Sequence, residues 1–182
     1  MKNIRQLKEN ECTGCGSCYD SCAEKAIMMK SDGMGFYYPD INENLCKECG
    51  KCLNVCPALQ RLTPEVEPMQ LYAAYAPEKT CEDSASGGIF PLLAQKVIRE
   101  GGVVCGCGWN ERFQAEHQII EKEEEIWKLQ GLKYVQSDTK HIYETIRNYL
   151  KQDKTVLFCG TPCQTAGLLN STKERKKLIT ID

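Results

Sequence analysis

Apolar and polar positions follow two different rhythms along the chain. From Leu71 onward, short apolar runs alternate with segments of helical spacing. Residues 71–76 read as a strand, and Ser84-Ala85-Ser86-Gly87-Gly88 leads into a helix through about Arg99 with Ile89, Leu93 and Val97 on one face. Gly101-Gly102 stops that helix. Residues 103–108 form a short strand, and the alternation of Phe113, Ala115, His117 and Ile119 predicts another. Residues 121–130 read as a surface helix with Ile126 and Leu129 inward, and 134–136 as a short strand-like piece. Asp138 is placed to cap a helix through about Gln152 whose inner side carries Ile142, Ile146, Tyr149 and Leu150. A buried strand at 155–158 turns through Cys159-Gly160-Thr161-Pro162-Cys163 into a helix to about Leu169, and Leu178–Ile181 reads as the next strand. This β-α-β alternation predicts an α/β domain with a largely parallel sheet over residues 71–182.

Residues 1–60 show cysteine spacing in place of that rhythm. Cys12, Cys15, Cys18 and Cys22 form one C-x2-C-x2-C-x3-C run, and Cys46, Cys49, Cys52 and Cys56 repeat it about 34 residues later, the second run ending Cys56-Pro57. This is the bacterial-ferredoxin spacing for [4Fe-4S] clusters. Three cysteines at i, i+3 and i+6 bring three sulfurs to one centre, and in two-cluster ferredoxins the fourth ligates the other cluster. The expectation is therefore one cluster on Cys12, Cys15, Cys18 and Cys56, and a second on Cys46, Cys49, Cys52 and Cys22, in an α+β ferredoxin-like module. Gly14, Gly16 and Gly50 permit tight turns that let backbone N–H groups approach the sulfides. Segments 27–30 and 35–39 flank Ser31-Asp32-Gly33 as a hairpin. The first run ends Cys22-Ala23 in place of Cys-Pro, which loosens that turn without removing a ligand. Two zinc knuckles are the competing reading, although zinc sites pair C-x2-C with a second pair and not with a run of four. Between the two parts, residues 61–70 carry Pro64 and Pro68 among polar positions and read as a linker.

Composition narrows the class. The 182 residues are 42% hydrophobic and 26% charged with a net charge of -2, so electrostatics give no case for nucleic-acid binding. No apolar run approaches the ~20 residues that span a bilayer, and the polar N-terminus lacks the apolar core of a secretory signal. A cytoplasmic location is expected, where thirteen cysteines serve as thiols and metal ligands and not as a disulfide scaffold.

In the second part, Ser86, Gly87 and Gly88 precede a helix whose N-terminus favours an anion, with a plain serine cap as the alternative. The Cys159–Cys163 turn lies at the carboxyl end of a buried strand, where open α/β sheets bind ligands, with a structural turn as the alternative. There Thr161 suits a helix cap and Pro162 its first position, and Cys163 stands near a helix start. Cys105 and Cys107 share one strand face and read as buried small residues. Cys81 reads as a loop thiol, and His117 and His141 as structural.

The order of these pieces resembles the coenzyme F420 hydrogenase/dehydrogenase beta-subunit family. The resemblance rests on the dicluster module, Ser84-Ala85-Ser86-Gly87-Gly88-Ile89-Phe90, Gly131-Leu132-Lys133-Tyr134-Val135-Gln136-Ser137-Asp138, and Val156-Leu157-Phe158-Cys159-Gly160-Thr161-Pro162-Cys163-Gln164. It implies two [4Fe-4S] clusters passing electrons to and from FAD, with hydride exchange with F420 or another organic partner and a redox partner protein or subunit. It also implies a flavin site at Ser86, Gly87 and Gly88, at Tyr134, Val135, Gln136 and Ser137, and at Gly160, Thr161, Pro162, Cys163 and Gln164. Members of that family continue past the position of Asp182, so an incomplete flavin domain is expected here. A ferredoxin-like electron carrier without flavin is the alternative.

Overall fold

The computed structural model describes residues 2–61 and 70–182. The expected linker at 61–70 falls almost wholly on residues outside that description.

In the first part, 3₁₀ turns at Ile4–Gln6 and Glu9–Glu11 lead into a short helix α1 (Ser17–Asp20). An antiparallel hairpin of β1 (Ile27–Ser31) and β2 (Tyr37–Ile41) follows, in register Ile27↔Ile41, and then α2 (Lys51–Val55). Each short helix begins after a left-handed glycine, Gly16 at φ +76° and Gly50 at φ +74°. That conformation is the one in which glycine avoids the Cβ penalty, so it lets the chain reverse sharply between the second and third cysteines of each run.

The second part holds α3 (Glu78–Glu82), α4 (Ile89–Arg99), β3 (Val103–Trp109), β4 (Ala115–Ile120), α5 (Ile142–Lys151), β5 (Val156–Cys159), α6 (Pro162–Ser171) and β6 (Leu178–Ile181). Its four-stranded sheet has the order β4-β3-β5-β6. Strands β3, β5 and β6 are parallel, and β4 returns antiparallel on the edge of β3. The sheet is covered on both faces. Val103, Cys105, Val156 and Phe158 pack on Tyr143, Ile146, Leu150 and Leu168 of α5 and α6. Val104 and Leu157 pack on Ala94 and Val97 of α4 and on Ile126. Burial on both faces explains the continuous apolar runs of β3 and β5, as expected of parallel strands. Helix α4 ends where Gly101, at φ +81°, donates to Ile98 O and Gly102 donates to Val97 O, which closes off its last carbonyls.

Four local expectations change. Residues 71–76 form no strand: Leu71, Tyr72 and Tyr75 are exposed, and among the described residues no strand pairs with them. The expected helix at 121–130 is a 3₁₀ helix at Glu123–Lys128. Residues 134–136 make no strand, and only one parallel bridge, Glu116↔Asp138, forms nearby. Asp138 caps a turn and not α5: its Oδ1 accepts from Lys140 N at 2.8 Å, Lys140 takes φ +42°, and the helix starts only at Ile142.

The two parts are packed together. Helix α1 lodges against α5 and α6, and α2 meets α6. The buried Asp20 carboxylate pairs with Arg147 at 2.6 Å and accepts from the Glu144 N–H at 2.9 Å. Ser17 Oγ, also buried, donates to Gly167 O at 3.0 Å. Tyr19 stacks on His141 with ring centroids 4.5 Å apart. Removing one partner of a buried ion pair strands the other's charge. Arg147→Ala is therefore expected to lower unfolding stability by about 3 kcal/mol, read from chemical denaturation. A loss no larger than that of a surface substitution would show that the seam does not depend on this pair.

Candidate metal centre and adjoining groove

The eight cysteines of the two runs sit at different depths. Cys15, Cys18, Cys52 and Cys56 are buried, Cys12, Cys22 and Cys46 half-buried, and Cys49 exposed. Cys12, Cys15, Cys18 and Cys56 line one small cavity together with Ile4 and Met29. Cys52 belongs to the apolar cluster formed by Ile4, Ile27 and Ile41, with Cys22 and Cys46 packed on it. Donors surround the sulfurs. The N–H groups of Gly14 and Ser17 face Cys12 and Cys15, and that of Ile4 faces Cys52. Ala26 N donates to Cys22 Sγ at 3.4 Å, and buried Asn3 donates to Cys46 Sγ at 3.8 Å.

Burial pushes the thiols toward their neutral form: Cys15 up to about 12, Cys18 well above its ordinary value, Cys12 and Cys52 upward. A bound cation is what would hold such buried sulfurs as thiolates. The backbone fits the same group. Cys15 and Gly16 are buried, yet among the described residues no backbone carbonyl accepts from either N–H. Buried N–H groups without a carbonyl partner call for another acceptor, and cluster sulfur is one. Among the described residues, no three His, Cys, Asp or Glu side chains are placed to hold a single ion. A cubane carries one iron per thiolate, so its ligands need not share an ion.

Beside the first run opens a groove of about 1000 Å³ at the carboxyl ends of β3 and β5. Tyr134, Val135, Gln136, Ser137, Gly160, Thr161, Cys163 and Gln164, expected from the sequence as site residues, all line it. Ser86, Gly87, Gly88 and Pro162 lie outside its lining. Gly87 O accepts from Ala76 N at 2.7 Å, and Gly88, at φ +71°, starts α4, whose Phe90 does reach the groove. Pro162 is the first residue of α6. The groove also takes Thr13 from the cysteine module, and Cys163 lies near enough to Cys12 and Cys15 to raise both thiols.

A hydrogen-bonded chain runs along one wall. Gln164 Oε1 accepts from Thr161 N at 2.9 Å, Gln164 Nε2 donates to Ser137 Oγ at 3.0 Å, and Ser137 Oγ meets His117 Nδ1 at 3.2 Å. His117, which reads as structural in the sequence, is buried, stacks on Phe158 and lines the groove. Burial lowers its pKa to about 4, against a smaller opposing effect of the Cys159 backbone, so the ring is neutral at pH 7. Spacing could not reveal it, because its partners Ser137 and Phe158 come from other elements. Cys107 and Cys159 line the same groove near Lys133, their thiols raised by burial and opposed by the lysine charge.

Three side chains of the second part reach back to the cysteine loop. Tyr143 OH and Thr139 Oγ1 donate to Cys15 O at 2.7 and 3.3 Å. Gln136 donates to Gly14 O at 3.1 Å and accepts from Tyr37 N at 2.8 Å. This contact explains two glycines. Glu48, at the position in the second run that Gly14 holds in the first, takes φ +50°, so left-handed backbone alone does not demand glycine there. A Cβ on Gly14 would overlap Gln136 Nε2 and stand 2.6 Å from the Tyr37 carbonyl oxygen, and one on Gly16 would overlap Thr139 Oγ1.

Residues 11–59, a little over a quarter of the chain, match the 4Fe-4S dicluster domain. The match supports binding of 4Fe-4S clusters and an iron–sulfur electron-carrier role. No curated protein matches the chain.

Gly16→Ala and Gly50→Ala incur similar left-handed strain of about 1 kcal/mol. Only Gly16→Ala also collides with Thr139, since the nearest atom to a Cβ on Gly50 is 3.9 Å away. Unfolding midpoints are therefore expected to fall further for Gly16→Ala, by at least about 1 kcal/mol more. Equal losses would contradict the seam geometry.

Proposed function

We propose that this chain is an iron–sulfur oxidoreductase subunit of the F420 hydrogenase/dehydrogenase beta-subunit type, in which a dicluster module (residues 1–60) exchanges electrons with FAD held in the groove of an α/β domain (71–182). The observation that carries the reading is the shared wall: Thr13, beside Cys12, lines the same groove as Tyr134, Gln136 and Thr161, with Cys163 close to Cys12 and Cys15. The groove's volume of about 1000 Å³ stands at the upper end of the range of about 300–1,000 Å³ for small-molecule sites. Its lining combines apolar Phe90, Leu129 and Val135 with backbone and amide groups at the head of α6, a combination suited to a planar ring with an anionic tail. A bound flavin would couple one-electron cluster chemistry to two-electron hydride chemistry, while the protein supplies position and electrostatics. The residues proposed to hold it are those from Tyr134 to Ser137 and from Gly160 to Gln164. Ser86, Gly87 and Gly88, which precede groove-lining Phe90, form a third segment.

Cluster one is assigned to Cys12, Cys15, Cys18 and Cys56, which share a cavity. Cluster two is assigned to Cys46, Cys49, Cys52 and Cys22. Exposed Cys49 makes cluster two the entry port for a redox partner, and buried Cys15, Cys18 and Cys56 make cluster one the relay to the groove.

Anaerobic purification followed by iron, sulfide, zinc and flavin analysis, with EPR after reduction, tests the reading. The expected content is about eight irons together with FAD. Eight irons without flavin would reduce the function to a bare electron carrier, and zinc without a reducible signal would end both. Cys22→Ser is expected to cost the cluster of the second run. Loss confined to the cluster of Cys12, Cys15 and Cys18 would overturn the crossed assignment.

A further inference from the structure

The two cysteine runs have the same spacing, and each turns through a left-handed glycine into a short helix. Their surroundings differ most clearly around the second cysteine. The carbonyl of Cys15 takes two hydroxyl donors, from Tyr143 at 2.7 Å and Thr139 at 3.3 Å, and the neighbouring Gly14 carbonyl takes the Gln136 amide at 3.1 Å. Cys49, the counterpart of Cys15, is exposed. Tyr143 is fully buried in the core of the α/β domain, so its hydroxyl is held in place by packing against Phe158 and Ile146.

A trans peptide points its C=O and N–H in opposite directions. With the Gly14 and Cys15 carbonyls drawn toward α5 and the 136–139 segment, the Cys15 and Gly16 N–H groups point away from them. Those residues line the cavity of Cys12, Cys15, Cys18 and Cys56, and among the described residues neither N–H meets a backbone carbonyl. Hydrogen bonds in series polarise one another. A donor on the carbonyl therefore strengthens the N–H of the same peptide toward whatever sulfur it faces. Hydrogen bonds to the sulfurs of an iron–sulfur cluster stabilise its more negative, reduced state and so raise its potential.

We propose that Tyr143, assisted by Thr139 and Gln136, is a positioning residue that raises the reduction potential of cluster one. The inference rests on the cluster assignment given above. It makes the α/β domain a determinant of how readily the cluster nearest the groove accepts an electron. The hydrogen bonds that the three make to the first cysteine loop all end on backbone carbonyls.

The test is an EPR-monitored redox titration of the full chain, purified anaerobically, for the wild type, Tyr143→Phe and Thr139→Val. Tyr143→Phe keeps the buried ring and removes only the hydroxyl. Thr139→Val keeps the side-chain shape and supplies a second reading should Tyr143→Phe fold poorly. The expected result is a more negative cluster one, its reduced-to-oxidised ratio at a fixed poise falling by up to about tenfold, which is 59 mV for a one-electron couple, with cluster two unchanged. Unchanged potentials in both variants, a positive shift, or an equal shift of both clusters would overturn the proposal. A wild type that holds iron and shows two reducible clusters keeps the cluster assignment standing even then, whereas a wild type without reducible iron removes the assignment itself.

Discussion

The structure depends on how one short helix is held. Helix α1 spans only Ser17–Asp20, too short to be stable alone, and it is wedged against α5 and α6 by contacts that the cysteine module cannot make within itself. Asp20 meets Arg147, Ser17 meets the Gly167 carbonyl, and Tyr19 stacks on His141. Gly167 admits this approach closely: a Cβ there would stand 3.0 Å from Ser17 Cβ and 3.4 Å from Cys15 Sγ. Because α1 carries Cys18 and follows Cys15 directly, the seam that docks the module also sets the positions of half the first cavity's sulfurs.

The same seam makes the groove. Residues 134–139 cross from the sheet to α5 without regular structure, and the contacts that order them run in both directions. Gln136 reaches Gly14 and Tyr37 in the cysteine module, while Ser137 joins Gln164 and His117 behind them. A segment that failed as a strand is thus ordered by side-chain amides, and this brings a groove wall and a cluster loop within one hydrogen-bond network. In the proposed reading, that adjacency matters more than any single lining residue, because it puts the electron relay and the cofactor site side by side.

Several features were legible in the chain itself. The cysteine runs stand out because ligands of one cluster lie a few residues apart, so their spacing is a local property. The alternation that builds β3, α5, β5, α6 and β6 is local too, as is the Thr161, Pro162 and Gln164 start of α6. Expectations failed where an element needs a distant partner: residues 71–76 have strand-like composition but no strand beside them, and Asp138 has a capping side chain but caps a turn before Lys140. The Ser137 and Phe158 partners of His117 come from other elements, so its place in the groove wall left no local signal.

Sequence alone determined the metal-binding chemistry of the first sixty residues and the layered α/β character of the rest, since both follow from periodicities of two to seven residues. Only the tertiary structure decided why Gly14 is glycine where Glu48 tolerates a similar left-handed backbone, and that Tyr143 directs its hydroxyl at Cys15 O from 128 residues away. Those relations are set by how α1 packs on α5 and α6, and a contact between segments more than a hundred residues apart leaves no periodic trace in the chain.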